Sequence, residues 1–165
     1  MSDRLSRRRY VAGTGAALAL GTLAGCSGGG GDGGDGNDVP MEDDVPSAID
    51  DHLAEARLYE GTIADYTGQD EVTVSVGAGE VGFAFDPPAI RIDSSTTVVW
   101  EWTGEGGAHN VESVEGSESD FSSGNAVSEE GSTFEQSFDN TGIQLYRCTP
   151  HEANGMLGAI EVVES

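Results

Sequence analysis

The sequence predicts an all-β domain, a sandwich or a barrel, that begins near residue 71 of a chain of 165 residues. From that point apolar and polar residues alternate with a period of two, which is the pattern of half-buried strands. Glycine, proline and aspartate separate the alternating runs, as expected for turns. Many short strands divided by turns are typical of sandwiches and barrels. A signal segment, a flexible tether and a short helix precede this domain.

Residues 1–25 have the pattern of an export signal. Arg7, Arg8 and Arg9 precede an apolar, small-residue run at 11–24. That run is too short for a membrane span, which needs roughly 20 apolar residues. Paired arginines ahead of such a run resemble the twin-arginine export signal.

The signal ends in Leu23-Ala24-Gly25-Cys26, which resembles the lipobox of lipoproteins. We therefore expect Cys26 to be lipidated and to anchor the protein on the outer face of the cell membrane. The alternative is a simple cleavage site followed by a chance cysteine. Residues 26–46 are rich in glycine and aspartate, so we expect them to form a flexible tether.

Residues 47–58 are predicted to form a short helix at the start of a folded domain that spans 47–165. Ser47 is a suitable N-cap, and Ile49, Leu53 and Ala56 share one face. His52 lies within this helix among acidic neighbours, and we expect it to be a solvated surface residue and not a metal ligand.

Six alternating runs carry the prediction of strands, at 72–76, 90–92, 98–102, 134–138, 143–146 and 160–162. Turn sequences at 86–88 and 104–107 separate some of them. The acidic, serine-rich stretch 116–131 is predicted to be a long connection over the surface.

The charge of the chain excludes one class of partner. The formal net charge is -23, there is no lysine, and beyond residue 25 only Arg57, Arg91 and Arg147 remain against 29 of the 30 acidic residues. Three arginines cannot build the basic patch that nucleic acid requires. Such a chain suits strong salt, where the Debye length falls to about 3 Å at 1 M and self-repulsion is screened.

A metal-binding pattern lies just before the last predicted strand. Cys148, His151 and Met156 follow the spacing Cys-x2-His-x4-Met, and His109 lies at the end of an earlier strand. Thiolate and thioether sulfur favour Cu(I), and imidazole tolerates both oxidation states, so two histidines, a cysteine and a weak axial methionine fit a blue copper centre. The predicted cofactor is one copper ion that cycles between Cu+ and Cu2+.

Four stretches resemble the cupredoxins of the plastocyanin and pseudoazurin type, and most closely those of salt-loving archaea: 85–88 (FDPP), 98–102 (VVWEW), 107–111 (GAHNV) and 148–156 (CTPHEANGM). The resemblance covers about 71–165. It implies a Greek-key sandwich of about eight strands with copper near one end. It also implies that Asn110 ties the two ligand loops together and that the edge of His151 is the electron port. Pro150 has no backbone N–H and cannot donate a hydrogen bond to the Cys148 sulfur.

The predicted function is electron transfer by a mononuclear type 1 copper protein that is not an enzyme. A copper oxidase or reductase would need a second centre, and the chain has three histidines in all. A copper carrier or storage protein remains the alternative, because the ligands barely separate the two functions. Zinc is less suited, since methionine is a poor zinc ligand. A cysteine that is merely buried is a further possibility for Cys148.

The expected partners are redox proteins of a membrane electron-transport chain, and the protein is expected to be a monomer. Strong salt screens charge steering, so we expect docking through an apolar surface around His151. The residues predicted for that surface are Pro150, Ala153, Met156 and Leu157. The alternative for Leu157 is that it packs inside the sandwich.

Overall fold

The computed structural model describes residues 38–165. The predicted signal segment, Cys26 and the first part of the predicted tether lie outside the described residues. None of the helices within 38–165 has the length and apolar character needed to cross a membrane. The elements in chain order are β1 (Met41–Glu42), α1 (Ser47–Leu53), β2 (Ile63–Asp65), β3 (Glu71–Ala78), β4 (Ala84–Asp86), β5 (Ala89–Asp93), β6 (Thr97–Trp102), β7 (Glu112–Ser113), β8 (Thr133–Ser137), β9 (Gly142–Arg147), a 3-10 helix (Thr149–Asn154) and β10 (Leu157–Val163).

The strands form two sheets that face each other. One has the order β1-β2-β5-β10-β9-β7 and the other the order β4-β3-β6-β8. Strand β10 pairs parallel with β5 and antiparallel with β9. In the second sheet β3 pairs parallel with β6, which pairs antiparallel with β8. The predicted all-β sandwich is therefore confirmed.

Aromatic side chains fill the space between the sheets. Trp100 and Tyr146 are fully buried, and their rings meet edge to face with centroids 5.4 Å apart. The Tyr146 ring also meets Phe85, at 4.9 Å. Aromatic pairs in this geometry contribute about 0.5–1.5 kcal/mol beyond their buried area. This core fixes β9, the strand that leads into Cys148.

The outer face of the six-stranded sheet is covered by α1. Ile49 and Leu53 of the helix are fully buried against Leu145 of β9 and Ala159 of β10. Strand β9 is therefore buried on both faces, with Tyr146 in the central core and Leu145 under the helix. The helix thus lies directly on the two strands that flank the predicted ligand loop.

The helix differs from its prediction at both ends. Pro46 precedes it, and the structure shows no side-chain capping bond there, so Ser47 is the first helical residue and not the N-cap. The helix ends at Leu53 and not at residue 58. His52 is half-buried and its Nε2 lies 3.0 Å from the Tyr146 carbonyl oxygen, so the expectation of a solvated histidine was wrong.

The last part of the predicted tether belongs to the folded domain. Met41 pairs with Ala64 in β2, within the range 26–46 predicted to be flexible. The Arg91 guanidinium donates to the Asp44 carbonyl oxygen at 3.0 Å and to the Glu161 carboxylate at 2.7 Å. Because Arg91 binds both an N-terminal residue and β10, it holds this stretch against the sheet.

Candidate metal centre

The loop between β9 and β10 is closed by its own backbone. The Cys148 N–H donates to the Met156 carbonyl at 3.0 Å, and the His151 N–H donates to the Cys148 carbonyl at 3.1 Å. The 3-10 helix ends at Asn154 and is capped by Gly155, which has the left-handed φ of 81° that glycine adopts readily. The loop therefore presents Cys148, His151 and Met156 from one compact turn.

Three predicted ligands converge in the structure. The Cys148 Sγ lies 3.5 Å from His109 Nδ1 and 3.6 Å from His151 Nδ1, and the two Nδ1 atoms lie 3.0 Å apart. Nitrogen and sulfur donors that share one ion at about 2.0–2.3 Å lie roughly 3–4 Å from one another. The donor set and its spacing therefore fit a single ion.

His109 is held in the form that a metal ligand requires. Its Nε2 lies 2.7 Å from the Glu105 carbonyl oxygen. Because a carbonyl only accepts, the proton is on Nε2 and the Nδ1 lone pair faces Cys148. Burial lowers the pKa of His109, the hydrogen bond to Glu105 opposes that change, and the charge of His151 adds to it. The lowered pKa favours the neutral imidazole.

Cys148 is fully buried, and burial raises the pKa of its thiol. The backbone N–H groups of Asn110 and His151 lower that pKa in part. A nucleophilic cysteine needs a lowered pKa, so this thiol is poorly suited to hydrolysis. A metal ligand is deprotonated by the metal itself, and the raised pKa therefore does not oppose a metal-binding role.

Met156 is fully buried in the same core cluster as Cys148. Its N–H donates to the His151 carbonyl at 3.2 Å, and its carbonyl accepts from Cys148. Backbone hydrogen bonds thus connect Met156 directly to Cys148 and His151.

Asn110 connects the two loops that carry the ligands. It is 5% exposed, its Oδ1 accepts from the Thr149 N–H at 2.8 Å, and its Nδ2 donates to the Thr149 Oγ1 at 3.1 Å. The structure therefore places Asn110 where the resemblance puts it. Pro150 lies exposed in the first turn of the 3-10 helix.

His109 is held by a segment predicted to be a plain surface connection. Its N–H and carbonyl exchange hydrogen bonds of 2.8 and 2.9 Å with Val127. The Trp102 indole donates to the His109 carbonyl at 3.0 Å. Part of the stretch 116–131 thus supports the site through its backbone, although none of its carboxylates joins the donor cluster found among residues 38–165.

Phe83 is a site residue that the sequence did not reveal. Its ring stacks on His151 with centroids 4.3 Å apart and planes 21° apart. The approach depends on two glycines, because a Cβ on Gly106 would lie 2.2 Å from the Gly82 carbonyl oxygen. The loops before Phe83 and before His109 therefore meet backbone to backbone, and no local pattern encodes that meeting.

Only part of the predicted docking surface is exposed. Pro150 and Ala153 are exposed, but Met156 is fully buried. Leu157 packs against the cluster beneath α1, because β10 begins there. Exposed apolar side chains instead lie at Leu58 and Val81, 49% and 50% exposed, which line one shallow depression.

Comparison with known proteins agrees with this site. Residues 71–163 match the family described as copper binding proteins, plastocyanin/azurin family. The chain is 58% identical to halocyanin of Natronomonas pharaonis over 160 residues, which cover 96% of this chain and 98% of that protein. The predicted resemblance is confirmed.

Solved structures give weaker likenesses. Plastocyanin of the fern Dryopteris crassirhizoma is 25% identical, with a TM-score of 0.48 over 56% of this chain and all of that one. A copper-containing nitrite reductase of Thermus scotoductus is 24% identical, with a TM-score of 0.47, and the match spans 58% of this chain but only 23% of the reductase.

Proposed function

This chain belongs to the plastocyanin/azurin family of copper-binding proteins, and from that premise we propose that it carries single electrons through one copper ion held by His109, Cys148, His151 and Met156. The observation that carries the proposal is the convergence of one buried thiol and two imidazole Nδ1 atoms within 3.6 Å of one another. Copper supplies the one-electron couple when it is bound.

The protein part of the mechanism is to hold the donors still. Glu105 orients His109, Asn110 fixes the start of the ligand loop, and backbone bonds lock Cys148 to Met156. Donors held in one arrangement keep the rearrangement between the two oxidation states small. His109, Cys148 and Met156 are fully buried, whereas His151 is half-buried. The route of the electron to the surface therefore runs through His151.

The test of this function is a visible spectrum of the purified protein with added Cu(II), followed by voltammetry. We expect an intense blue absorption and a reversible one-electron couple. A pale complex without a reversible couple would rule out electron transfer. Rapid loss of copper to a chelator from a blue protein would favour the copper carrier.

We infer that the protein is not an enzyme, because the chain lacks the ligands for a second copper centre. Its three histidines are His52, His109 and His151, and His52 binds the Tyr146 carbonyl. A dinuclear centre on the ligand loop would need a second cysteine there, and Cys148 is the only one in the loop.

The proposed location is the outer face of the cell membrane, with a lipid on Cys26. Its support is the sequence alone, namely the paired arginines, the short apolar run and the cysteine that ends it. Cys26→Ala is expected to move the protein from the membrane fraction to the medium, because the alanine cannot carry the lipid. A single acyl chain binds a membrane only marginally, so we expect more than one chain on Cys26. Ser27→Ala is the matched control, which should stay on the membrane. Retention of Cys26→Ala on the membrane would show that something else holds it.

The proposed partners are redox proteins of a membrane electron-transport chain, met by a monomer through apolar contact. Val81 is two residues from Phe83, which stacks on His151. Val81→Asp is expected to slow electron exchange with the native partner several-fold and to leave the visible spectrum unchanged, because no ligand contact is altered. Met41→Asp is the control, since Met41 is 57% exposed but lies on edge strand β1. A rate that falls steeply with added salt would favour charge steering.

Pro150 is expected to keep the reduction potential low. Pro150→Ala supplies a backbone N–H near Cys148, and a hydrogen bond to the sulfur would stabilise the more negative thiolate of the reduced state. The potential measured by voltammetry is therefore expected to rise. A fall in potential, with the spectrum intact, would contradict this role.

A further inference from the structure

The segment at residues 52–57, here called the N-terminal latch, contacts the end of the ligand loop and strand β9, which leads into the loop. It lies outside residues 71–163, the part that matches the copper-binding family. We propose that the latch is a positioning element of the copper centre, which holds the loop that carries Cys148, His151 and Met156 in place from outside. The inference rests on the proposed function of that loop.

The exit of the loop is held by Arg57. The Arg57 backbone N–H donates to the Gly155 carbonyl at 2.9 Å, and its guanidinium Nε donates to the Asn154 carbonyl at 2.7 Å. The last carbonyls of a short helix have no partner within it, so they need donors from elsewhere. Arg57 thus satisfies two carbonyls just before Met156.

Gly155 shows how closely the latch approaches. A Cβ built on Gly155 would lie 2.4 Å from the Glu55 carbonyl oxygen and 3.4 Å from the Arg57 nitrogen. Gly155 also has a φ of 81°, which side chains rarely adopt. Glycine is therefore required twice, once for the end of the 3-10 helix and once for contact with the latch.

The strand that leads into the loop, β9, is held by His52. Its Nε2 lies 3.0 Å from the Tyr146 carbonyl, which can only accept, so the imidazole donates. Tyr146 is two residues before Cys148. Ile49 and Leu53 of α1 are buried against the same sheet, and they fix the start of the latch there.

These contacts give the latch a specific role. The loop residues Glu152, Ala153 and Asn154 are exposed, so the loop has little packing on its outer side. The latch supplies the missing support between His151 and Met156. Without it, we expect the separation of these two ligands to fluctuate more, because the Asn110 bonds hold only the start of the loop and its last residues would depend on hydrogen bonds within the loop.

The test compares the full-length wild type with Arg57→Ala, Arg57→Lys and Arg91→Ala. In metal-free protein, Arg57→Ala should speed hydrogen exchange at the Gly155 and Met156 amides about fivefold, the effect of losing one hydrogen bond. In copper-loaded protein it should speed release to a chelator by a similar factor and change the relative intensities of the visible bands. Arg57→Lys, which keeps a donor, should restore most of both.

Arg91→Ala is the matched control, because it also removes one cation. The Arg91 side chain binds Asp44 and Glu161 and not the ligand loop. Equal effects of Arg57→Ala and Arg91→Ala would overturn the proposal, as would no recovery in Arg57→Lys. If Arg57→Ala does not fold, Arg57→Gln takes its place, because glutamine keeps an N–H donor on a shorter side chain. The exchange rates of its Gly155 and Met156 amides must then lie between those of the wild type and those of an unfolded loop. A wild type that binds no copper would reject the proposed function, whereas amide exchange in the metal-free protein would still test the latch.

Discussion

Cys148→Ser is expected to abolish the intense blue absorption and to leave the fold intact. The colour of a blue copper centre depends on the bond between copper and the cysteine thiolate, and a serine oxygen does not provide that soft donor. The side chain changes by a single atom. The backbone bonds of residue 148 with Met156 and His151 do not involve the sulfur, so they should persist.

The measurement is the visible spectrum with Cu(II), together with far-UV circular dichroism. Cys26→Ser is the matched control, since it removes the other of the two cysteines and should keep the full colour. A blue Cys148→Ser protein would show that Cys148 is not a ligand. Loss of the circular dichroism signal as well would mean that the sulfur is needed for the core and not only for copper.

The strands that the sequence predicted are the long ones. Strands β3, β5, β6, β8, β9 and β10 have five to eight residues, enough for the period of two to show. Strands β1, β2, β4 and β7 have two or three, too few for any alternation. These short strands form because the tertiary fold brings them beside strands with unpaired backbone N–H and carbonyl groups.

For α1, the sequence predicted the buried face but not the length of the helix. Its apolar face was predicted correctly at Ile49 and Leu53, which are buried on the sheet. Its predicted length was too great, because the chain must leave the helix for Arg57 to reach the ligand loop. The local sequence pattern of residues 54–58 does not predict a contact with that distant loop.

The candidate metal site was easier to predict than its surroundings. Cys148, His151 and Met156 lie within nine residues between two strands, so their spacing alone brings them close together. Phe83 and the latch reach the site from distant parts of the chain through close backbone approaches. The sequence leaves Leu157 open between the surface and the interior for a related reason, since its position beside the loop does not tell which face of β10 it occupies.

Asn110→Ala is the second change for which we expect a large effect, because the Asn110 side chain bridges the two ligand loops with its amide oxygen and its amide nitrogen. The alanine removes the acceptor of the Thr149 N–H and leaves a gap in a buried site. We expect the free energy of unfolding to fall by about 2 kcal/mol, the sum of lost hydrogen bonds and an unpaired donor. The start of the ligand loop would also detach from the segment between β6 and β7 that carries His109, so copper release should accelerate.

Thr149→Val provides the matched comparison for Asn110→Ala. It removes only the hydroxyl that accepts from Asn110 Nδ2 and keeps the backbone N–H that donates to Asn110 Oδ1. Since Thr149 is exposed, the valine should cost less than half as much in a urea titration of the metal-free protein. Equal losses in the two variants would place the link in the hydroxyl and not in the backbone bond. No loss in either would mean that the ligand loop is held by its own backbone and by the latch, and that the bridge at Asn110 acts on copper alone.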